Sequence, residues 1–195
     1  MLGSITPLGE RGRGSRWWLT VSAYFVGSIV GGALFGGVLG AAGRWIEPST
    51  GQRLPLLGAA AVVGLALDAG IAGLALPTIH RQVDERWRSR YRGWVWGVAF
   101  GFQLALGVVT VVTTGTVYVT WITAVLSGSV GAGVAIGVAF GLARATPVLT
   151  VARVRRPSQL LGVEQALRRM AAPAQRLTLA AGGLIAAAAV AGAVR

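Results

Sequence analysis

Chemistry has few places to reside in this sequence. There is no cysteine and a single histidine, His80. The first absence excludes disulfides, thiolate metal sites, cysteine nucleophiles and dithiol redox exchange, and one histidine cannot build a zinc site. No pair of acidic residues stands at a spacing that suggests hydrolysis. We therefore expect no enzyme activity, no metal site and no cofactor. What remains is Asp68, inside the apolar stretch GLALDAGIAGL. A carboxylate among aliphatic residues at bilayer depth is costly unless it is paired, protonated or facing water. Asp68 therefore either binds a cation or carries a proton, or it bonds a neighbouring threonine, a backbone group or a partner subunit and serves structure alone. Gln103 and the threonines Thr110, Thr113, Thr114, Thr116, Thr120 and Thr123 form the second polar set. They either line a polar path or bond back to their own helix's carbonyls.

The elements that must position these groups are membrane helices. The chain has 195 residues, 54% hydrophobic and only 12% charged, whereas a soluble domain carries about a quarter charged residues. Its 30 glycines sit largely inside apolar runs, where a water-soluble helix would lose about 1 kcal/mol for each relative to alanine. Membrane helices use them for close backbone approach. The net charge of +12 comes entirely from arginines in short segments between apolar runs. That placement fits contact with anionic headgroups at cytoplasmic loops and leaves no folded basic domain to read nucleic acid.

Five spans are expected, at about 17–43, 55–77, 94–113, 117–143 and 177–194, making an all-α polytopic transmembrane bundle. Residues 1–16 form a polar N-terminal segment, and 17–195 a single transmembrane domain with Arg-rich segments at 79–92 and 144–176. The apolar run opening at Trp17 is too long for the core of a signal peptide and reads as an uncleaved span. Gly93 to Ala143 carries no charge and far exceeds one bilayer crossing, so a hairpin is expected, with its break near Thr114-Gly115-Thr116. With the N-terminus inside, 15 of the 18 arginines fall on cytoplasmic segments. This positive-inside bias predicts a plasma-membrane protein with its N-terminus cytoplasmic and its C-terminus external. Leu160, Val163, Leu167 and Met170 share one helical face, on either an interfacial helix or a loop helix packed on the bundle.

The first and fourth spans look alike. Gly27-Ser28, Gly32, Gly36 and Gly40 are matched 101 positions later by Gly128-Ser129, Gly133, Gly137 and Gly141, with Arg44 and Arg144 closing the two runs. Glycine at every fourth position makes a smooth packing face. The charge pattern sends these two spans in opposite directions, as in the inverted repeats of secondary transporters.

The stretch WGVAFGFQLALGVVTVVTTG from Trp94, with SGSVGAGVAIGVAFGLARATPVL after it, resembles the second half of the DsbD/CcdA membrane electron carriers, part of a wider group that includes LysE-type exporters. The resemblance covers about residues 18–150. It implies two inverted three-helix repeats, here without the first span, which leaves five spans and an inside N-terminus. It also implies a cysteine within a proline-flanked motif in each repeat. Val109 to Thr113 has neither residue, so no catalytic residue carries over and redox activity is not expected. The leading expectation is a small-solute or ion transporter acting as a homo-oligomer or with a partner subunit. The alternative is a non-transporting subunit or assembly factor of a larger membrane complex.

Overall fold

The computed structural model describes residues 5–12, 14–46, 50–69, 92–107, 114–152, 154 and 156–193. These form an all-α bundle of seven helices and a 3-10 turn: α1 Pro7–Gly12, α2 Trp17–Ile46, α3 Thr50–Asp68, α4 Gly93–Leu106, α5 Thr116–Leu126, α6 Val130–Ala145, the 3-10 turn Thr146–Val151, and α7 Pro157–Ala193. By length and apolarity, α2 and the stretch Val130–Val151 can each cross a bilayer, while α4 and α5 are shorter apolar helices.

The organising element is α2, whose 30 residues rise about 45 Å. It has two glycine faces. On one, Gly32, Gly36 and Gly40 meet Gly137, Gly133 and Ser129 of the antiparallel α6, so closely that a Cβ on any of these glycines would run into the opposing carbonyl. On the other, Gly27 and Gly31 lie against Val98 and Phe102 of α4. In return, Gly97 and Gly101 of α4 lie against Thr20, Tyr24 and Ser28. The Ser28 hydroxyl donates to the Gly101 carbonyl at 3.3 Å. Small residues thus replace side-chain interdigitation with backbone contact, the means by which membrane helices gain dispersion energy.

The uncharged stretch divides differently from the expected hairpin. α4 ascends beside α2, from Gly93 near Thr20 to Phe102 near Gly31, and α5 continues the same way until Val125 reaches Gly43. Together their 14 and 11 residues account for a rise of about 37 Å, and α4 and α5 run in the same direction along α2. The chain reverses at Ser127-Gly128-Ser129, not at 114–116. Gly128 takes φ 56, a left-handed conformation that glycine enters without steric cost, and the Ser129 side chain caps α6 by accepting from Ala132 N. The expected span over 117–143 is therefore two antiparallel helices. Gly27-Ser28 and Gly128-Ser129, matched in sequence, also differ: one pair is helical and packed, the other is the turn.

The C-terminal part changes too. The amphipathic face over 160–170 and the apolar run from 177 to 193 belong to one continuous α7, which carries Pro173 within it. It packs on α3, with Gly182 against Leu65. At the end of the bundle where α2 begins, a cluster including Ile5, Trp17, Tyr24, Trp96, Val148 and Val151 closes the packing. The polar N-terminal segment takes part in it. Glu10 is fully buried, its carboxylate accepts from the Thr20 hydroxyl at 2.8 Å, and the Trp17 indole donates to the Ile5 carbonyl at 3.0 Å.

Candidate functional site

Asp68 sits at the start of α5, the helix that follows α4. α4 ends at Gly107 with φ 70, where its N–H bonds the Leu104 carbonyl at 3.1 Å. The first turn of α5 then has backbone N–H groups that no earlier helical carbonyl can satisfy. Asp68, the last residue of α3, supplies an acceptor: its Oδ1 takes the Gly115 N–H. Gly115 is the N-cap residue of α5 and has no side chain of its own to cap with. A carboxylate at this position both satisfies the orphan donor and faces the positive end of the α5 dipole. Close approach makes this feasible, because Gly64 and Gly115 meet backbone to backbone.

A cavity of about 300 Å³ adjoins the carboxylate between α3, α5 and α7. Its wall is mostly aliphatic, with Asp68, Thr116 and Thr178 as the polar members. Gln175 approaches from α7, its Nε2 donating to the Asp68 carbonyl at 3.5 Å. On α5 itself stands an aromatic wall, with Trp121 edge-on to Phe35 at 4.8 Å and to Phe140 at 4.6 Å. The Trp121 indole nitrogen is buried without a hydrogen-bond partner among the described residues, and it lies 2.9 Å from where a Cβ on Gly107 would stand.

The residues singled out in the sequence are only partly brought together. Thr114 lies just before α5, where its carbonyl accepts from Val117 N at 3.3 Å. Gln103 is half-buried on α4 and does not line the Asp68 cavity. Thr110 and Thr113 lie outside the described residues. Of the remaining threonines, Thr120 and Thr123 donate to the Thr116 and Val119 carbonyls of their own helix at 2.8 and 2.7 Å. Those hydroxyls are spent on α5. Gly32, Gly36, Gly40, Gly133, Gly137 and Gly141 are buried on the α2–α6 seam. Sequence reasoning passed over Gln175 and Thr178. Their spacing of three, followed by Gly182 four residues on, marks one helical face, and that face meets α3. Among the described residues, no three His, Cys, Asp or Glu side chains gather as a metal site would require.

The described residues thus form an all-α bundle seamed by glycine, with the start of α5 capped from α3. Over residues 2–190 the chain matches the family described as "Cytochrome C biogenesis protein transmembrane region". The chain belongs to that family, in line with the resemblance carried by its glycine-rich stretches. It is similar to the methylamine utilization protein MauF of Paracoccus versutus, at 34% identity over 74% of this chain and 56% of the relative. MauF of Methylophilus methylotrophus is 30% identical over 75% of this chain and 53% of its own length. MauF of Paracoccus denitrificans is 32% identical over 74% and 54%. The chain spans about half the length of these curated relatives. No solved structure is significantly similar to it.

Proposed function

We propose that this protein is a non-transporting membrane component that assists the assembly of a larger membrane or exported complex. The observation that carries this reading is the match of nearly the whole chain to a biogenesis transmembrane region in a sequence with no cysteine. Without a thiol the chain cannot itself exchange electrons through a disulfide. The name shared by its relatives makes a methylamine-utilization system the first setting to test. Transport, the leading expectation from sequence, has less support. Its best intramembrane carboxylate is engaged as a helix cap, and the Thr120 and Thr123 hydroxyls face their own backbone.

Deleting the gene in its source organism should lower the mature form of one partner enzyme several-fold while its transcript is unchanged, with growth on methylamine as the first phenotype scored. Liposomes holding the purified chain should show no solute or ion flux above protein-free liposomes. Flux that disappears in Asp68→Asn, together with an unaltered proteome in the deletion strain, would restore the transporter reading.

We also propose that the starting end of α2 faces the cytoplasm, a reading supported by the distribution of arginines. Arg11, Arg16, Arg92, Arg144 and Arg156 belong to segments at that end, and Val163 of α7 packs on the cluster there. Arg44 and Arg53 mark the opposite end, where Arg53 approaches Gly128. Reporter fusions after Arg16 and at 153–156 should read as cytoplasmic and those at 46–54 as external. A reporter at 153–156 active outside would reject this orientation.

A further inference from the structure

We infer that the cavity between α1 and the first turns of α2 is a binding site for the phosphodiester headgroup of an anionic phospholipid. The cavity measures about 620 Å³, and its lining includes Arg11, Ser15, Arg16, Trp18, Leu19 and Ser22. Two guanidinium groups are brought together there by local backbone design. Gly14 takes φ 66 and its N–H bonds the Arg11 carbonyl at 3.0 Å, so the chain turns tightly between α1 and α2. Arg11, in the last turn of α1, thereby comes to the same cavity as Arg16, which stands just before α2. The turn is held from beneath by Glu10, fully buried and bonded to Thr20, and by the Trp17 bond to Ile5. These buried bonds position α1 against α2 and leave the arginines at the surface.

The chemistry of the wall selects the ligand. Guanidinium forks match the paired oxygens of a phosphate ester, and the Ser15 hydroxyl beside them and the Ser22 hydroxyl further along α2 add donors to the same wall. A free phosphate ester offers that chemistry as well, but the cavity continues into an apolar track. Trp18 is 66% exposed and Leu19 53% exposed, and along the same outward ladder of α2, four residues apart, stand Ser22, Val26, Val30 and Leu34, all exposed. Tryptophan prefers the headgroup level, and the aliphatic ladder below it gives an acyl chain a surface to lie on. A headgroup with its chains attached fits the whole feature, while a soluble ester fits only the upper part.

The test uses the purified protein in neutral detergent, with bound lipid counted by native mass spectrometry. Phosphatidylglycerol, phosphatidylcholine and the soluble headgroup glycerophosphoglycerol are the three probes. One phosphatidylglycerol should be retained per chain, with phosphatidylcholine and the soluble headgroup displaced at equal concentration. Arg11→Gln combined with Arg16→Gln should weaken phosphatidylglycerol retention on the order of tenfold. Ser22→Phe, which fills the cavity at unchanged charge, should weaken it as well. The control pair Arg156→Gln with Arg169→Gln removes the same charge elsewhere and should retain the lipid. The assignment is overturned if the Arg11/Arg16 variant holds phosphatidylglycerol as the wild type does, or if the control pair loses as much. Equal binding of the soluble headgroup and the lipid would overturn the lipid as source.

Discussion

Replacing Gly36 by Leu is expected to remove the folded protein altogether. The position of a Gly36 Cβ is already occupied by the Gly133 carbonyl of α6, with the Gly137 backbone 3.1 Å away. The obstacle is backbone on both sides, so no rotamer change relieves it. The helices must separate, and the α2–α6 seam from Ser28 to Gly40 opens with them. Overpacking and backbone displacement on this scale cost more than about 4 kcal/mol, comparable to the whole stability of many domains. Gly137→Leu should behave alike, since its Cβ would meet the Gly32 carbonyl. Gly183→Leu on α7 is the matched control, because nothing lies within 4 Å of that site. Melting temperature and monodisperse yield in detergent provide the readout. A Gly36→Leu protein that purifies and melts like the Gly183→Leu protein would show that the seam does not hold the bundle together.

The second large effect is at Asp68, where two substitutions should separate. Asp68→Leu removes the acceptor of the Gly115 N–H. In a membrane bundle no bulk water replaces it, and an unsatisfied buried donor costs about 1–3 kcal/mol. Asp68→Asn keeps a carbonyl oxygen for the same bond. It loses the attraction of a full charge to the α5 dipole, about 0.3–1 kcal/mol, and is relieved of burying a carboxylate. Stability should therefore rank wild type and Asn close together, with Leu well below. Thermal melting of the three proteins decides this, and Asp68→Leu melting with the wild type would remove the capping role. If the carboxylate also served a proton or cation, the Asn protein would lose activity at unchanged melting temperature, which separates chemistry from support on one variant.

Several features of this protein are legible in its residue types alone. The absence of charge over long stretches and glycine at every fourth position within them were enough to indicate a membrane bundle, and Asp68 stood out as the one acidic residue inside an apolar stretch. They also identified the surfaces along which α2 and α6 pack, because glycine faces of this kind have value only when another backbone approaches them. The absence of cysteine from these 195 residues leaves them no thiol to react. Each of these follows from residue type alone, through transfer energy or the steric size of a side chain.

Tertiary structure decided where the chain turns and what Asp68 touches. Thr114-Gly115-Thr116 and Ser127-Gly128-Ser129 carry nearly the same local turn signal, and the uniform hydropathy around both gives no reason to prefer one. The antiparallel register of α6 on α2, with Gly133 opposite Gly36 and Ser129 opposite Gly40, is what makes the second site the reversal and leaves the first as the start of α5, which runs the same way as α4. Glu10 is a comparable case. In sequence it belongs to a polar leader, and it becomes a buried acceptor only because α1 folds back onto Thr20. Hydropathy is a sum over neighbours in sequence, whereas a reversal, a trans cap and a buried carboxylate are each fixed by a partner far along the chain. For this protein the residue types set the solvent, and the long-range backbone contacts set the architecture of the site.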